Sequence, residues 1–579
     1  MSHASDPDRP HGRVAEVTTL ATALATTYPG SVEVPDDYRR ACRLLSLSVS
    51  PETVLTASYS LAAYGSLLAT GAVTLGSGPL ATVAGFGLLL LSLGVAVLGR
   101  YGLPFAAEAK RIRMLSTAPS LVTTLVLGAT LWPSAERAAA FAGRAGDDLL
   151  AARLDRHRQR AAGTPRSGLG AFAAEWSDRF PALERAVGLV ENATAAPAEE
   201  RPEVLGSARQ CILDGTRDEM AAFAASLRGP ATGLYAFGVL LPLAMASLLP
   251  AAAAAGVPVT PSVLVGTYGV VLPAALLVAC CWLLGRRPVA FPPATIPRSH
   301  PDVHETALLS IVSGVVSGIG GWLLAGVLVA GWASPIGALG AGIGSALVVH
   351  YRPVANVRDH VAAVEAGLPD VLSAIGRRLD RGQSVEAALI EAVDEAPTPT
   401  RTVIESAVAR QEQLGTSVEG AFLGPGGALS DLPSRRTRQV ATLLDTAATI
   451  GPPAGESVTT MGDHLDALRA IERETRRDLS QITETLSNTA ALFGPLVGGA
   501  TVALAGSIDG GGQFNTVTSA LLGTVIGWYV LVLAVLLTAL STGLHRGLDR
   551  ALVGYRAGLA LLSATAVFLV AVVATGLLV

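Results

Sequence analysis

The chain has 579 residues, of which 50% are hydrophobic and only 15% are charged, and its formal net charge is −4. Its mean hydropathy of +0.48 is higher than a soluble domain of this size tolerates. The composition therefore excludes an ordinary soluble globular protein and favours a membrane protein. The four cysteines have no CxxC spacing, so no disulfide framework is predicted.

Five long stretches of the chain are almost free of charge and together contain one charged residue, Asp509. A helix needs about 20 apolar residues to cross a bilayer. The first four stretches are each at least about twice that length and the fifth is about one crossing long. This pattern predicts four helical hairpins and a final single helix, nine crossings in all. The stretches cover residues 53–99, 231–285, 306–350, 485–545 and 557–579.

All 42 Lys and Arg residues lie outside these stretches, and the turns inside the hairpins contain none. The positive-inside rule places the segments between the hairpins in the cytoplasm. We therefore predict a multi-pass protein of the cell membrane, with the N-terminus in the cytoplasm and the C-terminus outside. The predicted parts are a cytoplasmic N-terminal segment (1–52), hairpin 1 (53–100), cytoplasmic helical domain 1 (101–230), hairpin 2 (231–285), a cytoplasmic linker (286–305), hairpin 3 (306–350), cytoplasmic helical domain 2 (351–490), hairpin 4 (491–541), a second linker (542–556) and a ninth membrane helix (557–579).

The chain also repeats itself at a shift of about 250 residues. Pro119 aligns with Pro369 at a shift of 250, and Pro242 aligns with Pro495 at a shift of 253. The predicted hairpins obey nearly the same shift. We therefore predict an internal duplication, in which each half reads as hairpin, helical domain and hairpin, with the ninth helix outside the repeat.

Both cytoplasmic domains are predicted to be helical bundles, which makes the chain an all-α membrane protein. In the second domain an amphipathic run begins at Leu368-Pro369 and ends near Gly382, and Ser384 can cap the helix that follows. In the first domain Trp132 stands where Gly382 aligns. No Pro or Gly interrupts residues 463–493, so this helix is expected to enter the membrane unbroken.

The sequence contains no phosphate-binding loop, no HExxH and no nucleophile elbow, so no enzyme, cofactor or metal site is predicted. His300 and His304 have the spacing of two ligands on a helix face, but a solvated loop is favoured. Pro242 and Pro495 recur in both halves and are predicted to act as hinges in their membrane helices.

Two groups of arginines stand out, one in each helical domain, and six arginines of the second domain form the predicted partner-binding surface. The group in the first domain is Arg153, Arg156, Arg158 and Arg160. A solvated face or a contact with lipid headgroups is the ordinary interpretation. The more specific hypothesis is a docking surface for an acidic cytoplasmic partner. The residues are Arg435, Arg436, Arg438, Arg473, Arg476 and Arg477.

The second domain opens with Leu368-Pro369-x-x-Leu372 and continues with Gly382-x-Ser384, and its last helix enters the membrane at Gly494-Pro495. This arrangement, found twice in one chain, resembles the type II secretion system F family. The family comprises the membrane platform proteins of type II secretion, type IV pili and archaella. The resemblance covers about 105–255 and 355–508, and the nine-helix form resembles the archaeal members.

The resemblance implies a non-enzymatic platform beneath a growing filament. A cytoplasmic hexameric ATPase would dock on the helical domains, and its motion would lift pilin-like subunits from the membrane into the filament. Membrane lipid is the other expected partner, no nucleic acid is expected, and a homodimer is left open. The alternative is a transporter or permease with parallel repeats, which would need a substrate site at the bilayer midplane.

Overall fold

The computed structural model describes residues 22–28, 30, 32–45, 49–75, 79–145, 148–164, 167–254, 260–285, 296, 300–303, 306–451, 454–509, 519–547 and 549–578. These residues form helices joined by turns and contain no strand. The long α-helices, in chain order, are α1 Asp36–Leu45, α2 Pro51–Leu75, α3 Pro79–Leu115, α4 Ala118–Leu131, α5 Ala135–Ala145, α6 Leu149–Ala161, α7 Gly168–Ala174, α8 Pro181–Ala195, α9 Arg201–Tyr235, α10 Leu241–Ala254, α11 Pro261–Gly266, α12 Leu272–Gly285, α13 Ala307–Leu328, α14 Ser334–Leu379, α15 Val385–Ala392, α16 Thr398–Leu414, α17 Val418–Leu423, α18 Arg435–Ile450, α19 Gly455–Asn488, α20 Gly494–Asp509, α21 Ser519–Arg546 and α22 Arg550–Leu578.

Four short turns of other helix types connect some of these α-helices. One is a 3₁₀ turn and three are π turns, in which the backbone hydrogen bond spans one residue more than in an α-helix. They are the 3₁₀ turn Gly331–Ala333 and the π turns Ala236–Leu240, Thr267–Val271 and Thr489–Phe493.

Eight helical runs in the described part of the chain are long and apolar enough to cross a membrane. The chain is therefore all-helical, as predicted, and has the apolar helices of a multi-pass membrane protein. The runs are Gly87–Ile112, Arg201–Leu249, Pro261–Gly285, Ala307–Leu328, Gly331–Leu379, Gly455–Ser507, Ser519–His545 and Arg550–Leu578.

The predicted first crossing is the one that does not appear among these eight. Its helix, α2, forms and pairs along its length with α3. However, α2 has Glu52 in its first turn and carries many hydroxyl side chains, among them Tyr59 and Tyr64, which lower its hydropathy. Eight spans are thus identified by length and composition, against the nine predicted.

Glycines let hairpin 3 pack on two sides. Where α13 meets α14, a Cβ on Gly321 would lie 2.3 Å from the carbonyl oxygen of Gly337, so only glycine allows this approach. On another face of α14, a Cβ on Gly344 would lie 3.0 Å from the carbonyl oxygen of Gly558 in α22. Helix α14 is therefore held between α13 and the last helix.

Helices at corresponding positions in the two halves pack on each other. Helix α9 contacts α19, α10 contacts α20 and α12 contacts α21, and each pair is related by a shift near 253. The buried interior of this central group includes Tyr268, Leu276, Tyr529 and Phe568. These contacts join helices about 253 residues apart in the chain into one central apolar group.

The two helical domains share their capping residues. Ser134 Oγ accepts from the N–H of Arg137 at 3.4 Å, and Ser384 Oγ accepts from Ala387 at 3.3 Å, as the sequence predicts for Ser384. One prediction differs from the structure, because the run beginning at Leu368 is the end of α14 and not a separate helix. In the first domain the chain does break there, between α3 and α4.

Candidate functional site

Two long helices carry the chain from its helical domains into the apolar hairpins. Helix α9 continues through the π turn Ala236–Leu240 into α10, and α19 continues through Thr489–Phe493 into α20. The two π turns are 253 residues apart, and both runs stay helical throughout. Each domain is therefore joined to its hairpin by one continuous helical run, which we call a rod. Each rod changes from α-helix to a π turn, and the two π turns are 253 residues apart.

Each of these three π turns ends two residues before a proline. A proline has no N–H, and its ring crowds the carbonyl four residues earlier. In the π turn the preceding residue bonds one residue further back, so that the N–H of Leu241 donates to Ala236 and that of Gly494 donates to Thr489. This widened turn is how the helix accommodates its proline without ending. The prolines are Pro242, Pro273 and Pro495.

The missing N–H of each proline leaves the carbonyl four residues earlier without its helical donor. In the two corresponding rods a hydroxyl from another membrane helix replaces that donor. The Tyr529 hydroxyl donates to the carbonyl of Gly238, and Ser563 Oγ donates to the carbonyl of Ala491 at 3.1 Å. Gly238 and Ala491 are 253 residues apart, the same separation as that of the two π turns.

The third proline follows the same rule. Trp528 Nε1 donates to the carbonyl of Gly269 at 3.4 Å, four residues before Pro273. The Tyr268 hydroxyl also donates to the carbonyl of Pro242 at 2.7 Å, and its ring packs edge-on against Tyr529. Because a bilayer offers no water to backbone carbonyls, these side chains stabilise the three turns in their observed positions.

The predicted hinge residues lie at these turns. The run 463–493 stays helical, as predicted, and its first departure from α-helical geometry is at Thr489, six residues before the predicted hinge Pro495. The reason is that a proline disturbs the turn that precedes it. That Pro242 and Pro495 act as hinges stays a prediction.

The structure places the six predicted arginines of the second domain on α18 and α19. Four of the six side chains are exposed, and two take part in ion pairs within the domain. Arg436 pairs with Glu365 at 3.1 Å, and Arg476 pairs with Glu472 one turn earlier on the same helix. The exposed members are Arg435, Arg438, Arg473 and Arg477.

Arg469 lies on α19 with Arg473, Arg476 and Arg477, but it is not among the six predicted contact residues. Arg469 stands in the polar first half of this helix, outside the apolar segment. Its guanidinium donates to the carbonyl of Ala366. Burial, and after it the positive charges of Arg436 and Arg473, lowers the pKa of Arg469. The charges of Arg436 on α18 and of Arg473 on α19 therefore act on the same guanidinium.

The same part of α19 holds the two domains together. Thr123 of the first domain is hydrogen bonded to Nδ1 of His464 at 2.8 Å, and both side chains are buried. Burial lowers the pKa of His464 to about 3, so its ring is neutral. Arg209 donates to the carbonyl of Thr460 across the same contact. The sequence signal for His464 is its place among the apolar positions of α19, beside Met461 and Leu465.

No group of three His, Cys, Asp or Glu side chains in the described part of the chain is arranged to hold a metal ion. His300 instead has a structural contact, since its Nε2 lies 2.8 Å from the carbonyl of Asp431. His304 lies outside the described residues.

Comparison with known proteins gives no relative: no family model matches the chain, and neither a curated protein nor a solved structure matches it. The site residues that sequence reasoning missed are Tyr529, Ser563, Trp528 and His464. Each bonds a partner more than 70 residues away in the chain, and only the fold brings these partners together.

Proposed function

We propose that the chain is the membrane platform of a filament assembly machine of the type IV pilus, archaellum or type II secretion kind. Its helical domains dock a cytoplasmic hexameric ATPase, and their motion moves pilin-like subunits from the membrane into the filament. The chain is not itself an enzyme in this proposal.

One observation carries the proposal. Each domain is continuous with a membrane hairpin through an unbroken helix, and the two helices change at corresponding π turns. At 1.5 Å per residue, α19 alone extends for about 50 Å. A helix of this length transmits a displacement of the domain to the bilayer, whereas a flexible tether would not.

The proposal includes nine crossings and an internal duplication. The shared caps, the matched π turns and the packing of corresponding helices support the duplication. The pairing of α2 with α3 supports a ninth crossing, because a hairpin returns the chain to the side from which it came. In this proposal the N-terminus and both domains lie in the cytoplasm and the C-terminus lies outside.

The proposed ATPase-docking surface is the exposed part of the arginine group on α18 and α19. Charge complementarity chiefly increases the rate and specificity of encounter with an acidic partner. Arg436 and Arg476, which pair with Glu365 and Glu472, have the additional role of stabilising the surface.

A transporter would need polar groups around a cavity in the membrane. The cavity of about 300 Å³ between α9 and α12 is lined by Gly, Ala, Leu, Phe, Trp and Pro side chains, which do not recognise a polar solute. This supports the platform over the transporter.

The test is co-purification with the secretion ATPase of the same organism. Reversal of the four exposed arginines to Glu should abolish ATPase binding and filament assembly while membrane insertion stays normal. The matched control reverses four exposed arginines of the first domain and should bind as wild type: Arg137, Arg144, Arg160 and Arg185. Unchanged ATPase binding after the first reversal would refute the docking surface, and normal filaments in a strain lacking the chain would refute the platform.

A further inference from the structure

Helix α1 is attached to the α2–α3 hairpin at the place where that hairpin loses its apolar character. Residues 79–99 of α3 contain no charged side chain, and Arg100 is the first. Asp37 of α1 forms an ion pair with Arg100 at 3.6 Å, and Nζ of Lys110 donates to the carbonyl of Leu44 at 3.0 Å. Helix α1 therefore lies beside the segment of α3 that passes from the apolar interior of a bilayer into its headgroup layer.

One face of α1 packs on the hairpin and the opposite face is exposed. Tyr38 and Cys42 are buried and pack with Leu55 of α2 and Leu103 of α3. The opposite face carries three arginines, and none of them forms an ion pair with a described residue. Arg40 donates from Nε to the backbone carbonyl of Asp36 at 3.3 Å, a contact that leaves its charge unpaired. The exposed arginines are Arg39, Arg40 and Arg43.

Helix α1 lies on the outer side of the hairpin, away from the central helices. On α3 the ring of Phe105 lies against Gly285 of α12. Leu103 packs with the buried side chains of α1, and residues two apart in an α-helix point to nearly opposite sides. Tyr101 is 61% exposed at the same level, where membrane proteins place aromatic side chains next to the headgroups. The exposed face of α1 is therefore turned toward the surrounding lipid.

The charge of this face determines which headgroups it fits. Asp36 and Asp37 stand in the first turn of α1, where the helix dipole favours negative charge. Asp37 pairs with Arg100, so Asp36 is the acid that offsets the three arginines, and a net charge of +2 remains on the face. Guanidinium groups bind phosphate oxygens through paired N–H donors. At the level of the headgroups, the phosphates of lipids are the anions nearest to this face.

We infer that the exposed face of α1 binds the anionic phosphate headgroups of the membrane leaflet on the side of the helical domains. Arg39, Arg40 and Arg43 are the contact residues. Because α1 is joined to α3 through Asp37 and through the carbonyl of Leu44, headgroup binding holds this edge of the α2–α3 hairpin at the membrane surface. The proposal rests on membrane insertion of the hairpin and not on the platform function.

The experiment measures hydrogen exchange of residues 36–45 in the full chain, reconstituted in two kinds of lipid nanodisc. One contains neutral phosphatidylcholine, and the other contains equal amounts of phosphatidylcholine and anionic phosphatidylglycerol. A basic side chain next to an anionic surface strengthens the contact about fivefold, so the net charge predicts exchange about 25-fold slower in the anionic discs. Raising the salt concentration should reduce this difference. Equal exchange of the wild type in both discs would overturn the proposal.

Three variants test whether the arginines of α1 carry the effect. The triple change of Arg39, Arg40 and Arg43 to Gln should give equal exchange in both discs. The same three positions changed to Lys keep the charge and should keep the lipid dependence. The matched control changes three exposed arginines of the first domain to Gln and should behave as wild type: Arg137, Arg144 and Arg160. Full lipid dependence in the first variant, or its loss in the Lys variant or the control, would contradict binding through these charges.

The source of the anion is tested in the neutral discs. Inorganic phosphate offers the same oxygens to the arginines without an anionic membrane, and at millimolar concentration it should leave the exchange of α1 unchanged. Slowing by free phosphate to the rate seen in the anionic discs would overturn the assignment to lipid headgroups. Because the discs contain no other protein, a slow rate that appears only after addition of a cytoplasmic extract would assign the face to a soluble partner and would also overturn the proposal.

Discussion

The two helical domains cap their helices in the same way but bury different kinds of side chain at one corner. In the second domain the Arg378 side chain is 10% exposed and donates to Glu391 at 2.9 Å and to Glu395 at 2.6 Å. At a shift of 250 the first domain has Gly128 and Phe141 in place of Arg378 and Glu391. The first domain thus has no charged residue at the two positions that belong to the charged network of the second domain.

The apolar corner of the first domain has a partner within the chain. Trp132 packs against Phe141 with ring centroids 5.7 Å apart, and Phe141 and Leu127 contact the core of the second domain. Trp132 is tolerated because its backbone is extended, with φ of −134°, whereas its counterpart Gly382 has φ of +88°. The first domain therefore uses this corner to pack against the second domain, whereas the corresponding corner of the second domain carries a charged network.

The largest expected effect comes from breaking the two rods separately. Insertion of Gly-Gly between Asp478 and Leu479 rotates the two ends of α19 out of phase and costs about 1 kcal/mol of helix stability for each glycine. Filament assembly should be lost while membrane insertion and ATPase binding persist. The matched insertion lies between Ala225 and Ser226 of α9. Loss in both variants would make the rods equivalent, and wild-type assembly after the α19 insertion would exclude a rigid lever.

A smaller effect is expected from removing the buried arginine. Arg378→Met keeps the apolar stem but leaves Glu391 and Glu395 without their donor. Because both carboxylates are half exposed and can rehydrate, the expected cost is about 1–2 kcal/mol, less than for a fully buried pair. Hydrogen exchange should rise at the end of α14 and in α15, and not in the first domain.

The matched control is Arg377→Met, on an arginine whose side chain is 61% exposed. It should leave exchange within error of wild type. The reverse transplant, Gly128→Arg, should be worse than either, because a Cβ there would lie 2.9 Å from the Cα of Ala138. A harmless Gly128→Arg would contradict the account of the two corners.

These contrasts show which features of the fold can be predicted from the sequence alone. Local signals were sufficient for the helical domains, since Ser384 caps its helix and Gly382 and Gly415 adopt the left-handed turns that follow helices. Hydropathy was sufficient for eight apolar runs. Hydropathy was not sufficient for α2, because its hydroxyl side chains lower its mean hydropathy and leave it outside the runs identified as membrane spans.

The candidate site is less visible in the sequence, because its contacts join distant residues. Pro242 and Pro495 could be recognised as weak points, but their π turns depend on Tyr529 and Ser563 from other helices. The arginine group could be recognised by composition. Which of its members pair internally depends on where Glu365 lies in the fold.

A further comparison concerns the hydroxyls that support the two proline turns. Tyr529→Phe and Ser563→Ala each remove one donor and leave a carbonyl unpaired in the apolar region. Each should lower the midpoint of thermal unfolding, with a cost near 1 kcal/mol. The control is Ser507→Ala, whose hydroxyl bonds only within its own helix. A loss of stability in only one of the two variants would show that the two proline turns are not stabilised in the same way.

The smallest expected effect is a pH dependence confined to the second domain. The hydrogen bond from Arg378, and then its charge, lowers the pKa of Glu395 below the ordinary value of 4.5. A lowered pKa contributes stability that is present above pH 4.5 and is lost as the pH falls through the pKa of the folded state. Hydrogen exchange around α15 should therefore rise below pH 4.5. Ala145 is the counterpart of Glu395, so the corresponding part of the first domain should lack this dependence. Glu395→Gln should weaken the dependence in the second domain, and an unchanged profile in that variant would assign it to another carboxylate.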